Sequence, residues 1–281
     1  MKNRPLVLVF PNYAGAKEFD VDQAIFLAQM GYAAVSVDMY QDVEWYPKRL
    51  RNPTLESPHQ DIVIHWKGAF RAYNSWQKDP RGWRDIMSLY LRKAREHPAV
   101  HPKHAAAIGY CFGGQCVLEM VRNGDKLDGV VSFHGVLQSD PIVEPIELSK
   151  GINRRALRPE ERASDENFNS NIKILIENGT LDEGAGPKEQ ALFWHEMETH
   201  NAEDVQFHDH FGADHGFALA PGVISSKYHE LADRRSTISM LLLFVELWGP
   251  EYAPNVNVNT VNACGTDIGL YWSLSKIVSK F

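Results

Sequence analysis

The 281-residue sequence is poor in cysteine: it has three, Cys111, Cys116 and Cys264, an odd number with no CxxC spacing. This argues against a disulfide framework and against a paired-cysteine zinc site, so no metal or other cofactor is expected. A reducing, cytoplasmic setting is the simpler expectation. Basic charge is also in deficit, with 29 Lys and Arg against 36 Asp and Glu and a net charge of −7. A broad phosphate-binding surface, and with it a nucleic-acid partner, is therefore not expected. Long apolar runs are missing too. Ile238 to Trp248 is short and interrupted by Ser239 and Glu246, so no membrane span is expected. Met1-Lys2-Asn3-Arg4 precedes an apolar run that ends at Pro11, too short for the core of a secretion signal. There is no internal repeat. The final Ser279-Lys280-Phe281 only approximates a peroxisomal ending.

With 44% apolar and 23% charged residues, the chain has an ordinary globular composition. Leu6–Phe10 reads as a continuous apolar strand of a sheet covered on both faces. An amphipathic helix from Asp22 to Met30 follows, closed by Gly31, and then a strand from Ala33 to Asp38. Further strands are expected at Ala105–Ile108, Gly129–Gly135, Ile172–Ile176 and Val205–Phe207. Helices are expected at His65–Trp76, at Ile86–His97 with Asp85 as cap, from Pro187 through Met197, and at Tyr228–Trp248. This alternation predicts an α/β fold, a mostly parallel, doubly wound sheet with helices on both faces. Residues 1–250 form one domain in this reading, with 251–281 as a C-terminal extension. Two stretches are less regular. Tyr40–Trp83 is rich in aromatics that either line a pocket or cover the sheet. Asp140–Asn171 is polar, carries Arg154-Arg155, and reads as a long surface excursion.

The most informative stretch is Gly109-Tyr110-Cys111-Phe112-Gly113-Gly114, between a strand and a helix. It is the cysteine counterpart of the nucleophile elbow G-x-S-x-G. A nucleophile on so sharp a turn needs side-chain-free neighbours, and the helix N-terminus behind it favours thiolate. A glycine-flanked cysteine is also compatible with a tight turn around a buried thiol. A thiol nucleophile needs a base, and the base a group to orient it. His215 lies in the Gly/Ala-rich loop after Val205–Phe207, and Asp182 in the loop after Ile172–Ile176. Nucleophile, acid, histidine is the chain order of the α/β-hydrolase fold. His134, His208 and His210 compete for the base, Glu177 and Glu183 for the acid, and Asp182 also suits a helix or turn cap. Cys116, one turn into the helix, reads as core packing.

These residues resemble the signature loops of the dienelactone hydrolase (carboxymethylenebutenolidase) family. The likeness rests on Gly109–Gly114, on Gly179-Thr180-Leu181-Asp182 and on Gly212-Ala213-Asp214-His215-Gly216-Phe217. Gly31–Val35, Asp38–Tyr40 and Val130–Gly135 are similar too. The resemblance implies a Cys111–His215–Asp182 triad that hydrolyses a small ester or lactone through a thioester. It also implies an oxyanion hole from the backbone N–H groups of Phe112 and Tyr13, worth about 3–4 kcal/mol per donor. Two positions depart from the family. A glutamate that helps activate the thiol is replaced by Asn12, which cannot accept a proton. The arginines that hold a substrate carboxylate have no fixed counterpart; Arg81 and Arg84, with Arg71 and Arg154, are the candidates, and Asn12 joins Arg81 and Arg84 as a substrate-binding candidate. A non-catalytic small-molecule-binding protein and a redox-responsive thiol protein are the alternative readings.

Overall fold

The computed structural model describes residues 3–40, 57–139, 165–223 and 226–252. Six parallel strands form a sheet in the order β2-β1-β3-β4-β5-β6: β1 (Arg4–Phe10), β2 (Ala33–Ser36), β3 (Val100–Tyr110), β4 (Gly129–Phe133), β5 (Lys173–Gly179) and β6 (Val205–His210). The helices are α1 (Glu18–Met30), α2 (His59–Gln77), α3 (Pro80–Arg95), α4 (Phe112–Arg122), α5 (Pro187–Thr199) and α6 (Glu230–Trp248). This is the expected α/β-hydrolase arrangement.

Strand periodicity divides the core into two layers. Leu6, Leu8 and Phe10 pack with Ala105, Ala107, Val130, Ile174 and Ile176 on one face, beneath Tyr73, Met87, Leu91, Val117 and Phe193 of α2 to α5. Val7 and Val9 pack with Ala106, Ile108, Val131 and Leu175 on the other, beneath Leu27 and Met30 of α1 and Leu243 and Phe244 of α6. The side-chain period of two in β1 and β3 thus feeds both layers, which is why these strands are apolar at nearly every position.

Strand direction of travel reverses beside β1. The chain steps outward from β1 to β2, then returns to place β3 on the other side of β1. The loops after β1 and β3 therefore open on the crevice where such sheets bind ligands.

Several element boundaries differ from expectation for local reasons. Helix α1 begins four residues early, at Glu18, and is not cleanly amphipathic, since Val21 and Ile25 are exposed. Its closure at Gly31 is as expected, with φ +114°. Helix α3 begins at Pro80, not at Ile86. Asp79, rather than Asp85, caps it by accepting the Gly82 N–H at 3.0 Å, and a proline at the first helical position needs no partner for its missing N–H. Helix α2 starts at His59, straight after Pro58. Most of the 140–171 excursion, including Arg154 and Arg155, lies outside the described residues, as do Trp45, Tyr46 and the extension from residue 253 with Cys264. No described helix is long and apolar enough to cross a membrane.

The elbow sets the tightest tolerance in the fold. A Cβ added at Gly113 would lie 2.2 Å from the Phe10 carbonyl oxygen, and one at Gly109 would lie 2.0 Å from the Gly113 carbonyl oxygen. Both obstacles are backbone, so neither can step aside. Gly113→Ala is accordingly expected to lower stability by more than about 3 kcal/mol in urea denaturation. A loss below about 1 kcal/mol would contradict this crossing.

Candidate active site

Cys111 joins β3 to α4 with φ +57° and ψ −111°, a strained conformation for a residue with a side chain. Its N–H donates to the Phe133 carbonyl at 2.9 Å, which ties the turn to β4. The thiol stands at the N-terminus of α4, and the backbone N–H groups of Phe112 and Tyr13 both hydrogen-bond to the sulfur. These are the two groups expected to form an oxyanion hole, and they converge on one point from different loops.

His215 Nε2 lies 3.0 Å from Cys111 Sγ, and His215 Nδ1 lies 2.8 Å from Asp182 Oδ2. The second oxygen of Asp182 accepts the Gly184 N–H at 2.9 Å and caps the short 3-10 turn Glu183–Ala185. The capping role considered for Asp182 and its contact with His215 are therefore both real, one per oxygen. Burial alone would push the Cys111 thiol up, but the His215 charge and the two N–H donors outweigh it and hold the thiol below its ordinary value. Burial would likewise lower His215, but Cys111 and Asp182 together raise it well above the usual imidazole range. The pair thus favours thiolate and imidazolium.

The competing residues pair with each other instead. Glu177 is fully buried and contacts His208 Nδ1 at 3.0 Å and His210 Nε2 at 2.5 Å, so it is occupied beside β6 and does not reach Cys111. That hydrogen bond is the main reason His208 sits above the usual imidazole value. Cys116 is buried, and burial pushes its thiol well above the ordinary value, consistent with core packing. Glu183 lines the cleft without touching His215 in any described hydrogen bond.

A cavity of about 510 Å³ opens over Cys111. Tyr13, Phe70, Tyr73, Phe112 and Val136 give it apolar lining, and Leu181, Glu183, Asp214 and Lys227 line it as well. Lys227 Nζ pairs with Asp214 at 2.5 Å. The aromatic stretch expected either to line a pocket or to cover the sheet does both. Phe70 and Tyr73 face the cavity, whereas Trp83 is buried and stacks on Phe112 with ring centroids 5.3 Å apart. Sequence reasoning did not single out Lys227, Leu181 or Val136, because nothing in their local pattern marks a cleft.

The three residues expected to bind substrate do not line this cavity. The Asn12 side-chain oxygen accepts the Ala14 N–H at 2.8 Å, making a turn that aims the Tyr13 N–H at the sulfur. Arg81 is exposed in the first turn of α3, and Arg71 is exposed on α2. Arg84 is buried, with Nε donating to Glu119 at 2.8 Å and Nη2 to Asp165 at 2.7 Å. Glu119 also takes Arg122 Nη1 at 2.9 Å, and Arg122 Nε reaches Glu196 at 2.6 Å. Arg84 thus belongs to a buried charge network joining α3, α4 and α5, where a carboxylate already occupies the guanidinium that a substrate would need. Among the described residues no cluster of His, Cys, Asp and Glu is arranged to hold a metal ion.

The sequence profile of the dienelactone hydrolase family matches residues 1–247. No curated protein sequence matches the chain. Among solved structures, one named m3DLH superposes with a TM-score of 0.65 at 24% identity, over 88% of each chain. A dienelactone hydrolase-like promiscuous phosphotriesterase, P91, from metagenomic libraries gives 0.63 at 24% identity, again over 88% of each chain. Esterase 2 of Thermogutta terrifontis gives 0.53 at 17% identity, over 88% of this chain and 85% of the other. At these identities the likeness is one of fold.

Two outcomes test the site as described. The rate of Cys111 alkylation by iodoacetamide is expected to rise with a midpoint below that of an ordinary thiol, and His215→Ala is expected to move the midpoint above it, because the strongest of the effects opposing burial is then gone and only the two N–H donors remain. An unchanged midpoint in the variant would contradict the pairing. Arg84→Met is expected to cost roughly 3–5 kcal/mol of stability in urea while leaving the KM of the folded protein for short esters unaltered. A large KM increase without a stability loss would return Arg84 to the substrate.

Proposed function

The chain belongs to the dienelactone hydrolase family and is a carboxylic ester hydrolase; within that class, we propose that it cleaves a small ester or lactone with Cys111 as nucleophile, His215 as general base and Asp182 as the group that orients it. The observation that carries this reading is the continuous relay from Asp182 to His215 to Cys111, with contacts of 2.8 and 3.0 Å, at the floor of a cavity. Residues 1–250 are the catalytic unit in this proposal, with 251–281 as an extension, and a reducing cytoplasm would keep Cys111 a free thiol.

The proposed cycle begins with the Cys111 proton on His215 and the imidazolium held by Asp182. The thiolate attacks the substrate carbonyl carbon, and the developing oxyanion takes hydrogen bonds from the Phe112 and Tyr13 N–H groups. The tetrahedral intermediate collapses by breaking the carbon–oxygen ester bond. The departing alkoxide takes the His215 proton, leaving a thioester on Cys111. In a lactone the departing oxygen remains attached to the acyl group as a hydroxyl. His215 then draws a proton from water, the hydroxide attacks the thioester, and the thiolate leaves as the free acid is released. All proton transfers pass through His215, and no further cofactor is needed to balance them.

The cavity suggests what the acyl or alcohol part resembles. Tyr13, Phe70, Tyr73 and Phe112 offer flat apolar surface, suited to an apolar or ring-bearing group. Among the described lining residues the cations are the His215 imidazolium, committed to Cys111 and Asp182, and Lys227, which Asp214 already neutralises. A neutral ester or lactone therefore fits the described walls better than a carboxylated one.

Hydrolysis of 4-nitrophenyl acetate and dihydrocoumarin by the wild type, Cys111→Ala and His215→Ala tests the proposal, with circular dichroism as the check on folding. Each variant is expected to lose at least about 10³-fold in kcat/KM. A folded Cys111→Ala with undiminished turnover overturns the assignment.

A further inference from the structure

His134 directly follows β4, and the cycle above gives it no task. Three features nonetheless set it apart. It is fully buried. Its backbone has φ +39°, in the left-handed region that residues with a side chain occupy mainly where their surroundings impose it. Neither ring nitrogen has a hydrogen-bond partner, although a neutral imidazole carries one donor and one acceptor and buried polar atoms are nearly always paired.

What the ring touches points to its use. The His215 ring lies 5.2 Å away at an interplanar angle of 69°, edge to face, and the Phe217 ring lies 5.3 Å away at 74°. Tyr110 closes a third side at 6.1 Å. The backbone is anchored as well, since the His134 N–H donates to the Glu177 carbonyl at 2.8 Å. The Glu177 side chain holds His210, whose ring in turn meets Phe217 at 5.2 Å. His134 is thus clamped from below by β5 and β6 and presents its remaining flank to the imidazole that meets Cys111.

His215 needs such a wall. Its two ring nitrogens are both committed, one to Asp182 and one to Cys111. Any third contact that fixes the ring must come through its face or its edge. The side chain is 34% exposed, and it sits in a loop between glycines at φ +77° (Gly212) and +84° (Gly216). Without packing, the ring could turn away from the line joining the acid and the thiol. A hydrogen-bonding neighbour would restrain it only by competing for Nδ1 or Nε2, whereas an aromatic neighbour does not compete. Burial and the nearby His215 charge keep His134 well below the usual imidazole range, so it stays neutral while His215 carries its proton. The titratable groups around it are His215 and Tyr110 in ring contact, with Glu177 and His210 behind.

We propose that His134 is a positioning residue. Its ring, locked edge-to-face against His215, holds that imidazole on the line between Asp182 and Cys111 without taking either ring nitrogen. The inference rests on the reading of His215 as the base that acts on Cys111.

Two variants separate positioning from plain packing. His134→Asn removes the ring with a residue that tolerates positive φ, and His134→Phe keeps a ring without nitrogens. The readouts are kcat and KM for 4-nitrophenyl acetate and the pH midpoint of Cys111 thiolate formation, each on protein shown to be folded. His134→Asn is expected to lose roughly 10- to 100-fold in kcat with little change in KM, and its thiolate midpoint is expected to rise. His134→Phe is expected to restore both toward wild type. A role in stability alone would leave the kcat and the thiolate midpoint of the folded molecule unchanged, and that result overturns the proposal. So does a His134→Phe enzyme no better than His134→Asn. If His134→Asn does not fold, nuclear Overhauser contacts between the two imidazole rings in the wild type decide: their presence supports the clamp and their absence overturns it. An active His215→Ala would remove the underlying reading, whereas an inactive His215→Ala beside a fully active His134→Asn removes only this inference.

Discussion

The structure depends on one close crossing. Where β3 turns into α4, the backbone of Gly113 passes within contact distance of the end of β1, and Gly109 passes against Gly113. Gly114 likewise leaves no room for a side chain, because Ser132 and Gly135 of the β4 end lie against it. This crossing pins Cys111 in its strained turn and brings the loop after β1 beside the N-terminus of α4. Two N–H groups from separate loops can then meet at one sulfur. Widening the crossing by a single methyl group would separate them, so the same contact underlies both the packing and the chemistry proposed for it.

Electrostatics in the cleft work by mutual support. Neither the thiol nor the imidazole would hold a charge alone at this depth, since burial opposes each. Together they reverse that preference, and Asp182 completes the balance from the far side of the ring. The remaining buried charges are kept apart from this pair. Glu119 and Arg122 on α4 neutralise one another together with Arg84, Asp165 and Glu196, and Glu177 is enclosed by His208 and His210 at the end of β5. Local neutralisation lets a chain with a net charge of −7 bury several carboxylates without disturbing the thiol.

Much of this was legible in the sequence, and the exceptions have identifiable causes. The strands could be read because β1, β3, β4 and β5 each hold an apolar run buried on both faces, with β2 and β6 betrayed by shorter, half-buried apolar stretches, and Cys111, Asp182 and His215 could be named because glycine-rich turns follow β3, β5 and β6. The start of α3 was misread because the amphipathic pattern begins at Ile86, whereas the helix is initiated earlier by Asp79 and Pro80. Arg84 was given to the substrate because sequence shows charge but not burial, and its partners Glu119 and Asp165 lie 35 and 81 residues away. The same limit hid the pairing of Glu177 with His208 and His210, and the contact between His134 and His215 across 81 residues of chain. Periodicity reports which face of an element is covered. It does not report which polar groups find each other across the sheet.

The measurement that tests the central claim most directly is intact-mass spectrometry of enzyme acid-quenched during turnover of 4-nitrophenyl acetate, followed by peptide mapping. The account predicts a transient acetyl adduct on Cys111 that accumulates when deacylation is slowed by substituting Asp182. An adduct on any other residue, or turnover with no acyl-enzyme at any quench time, would contradict it.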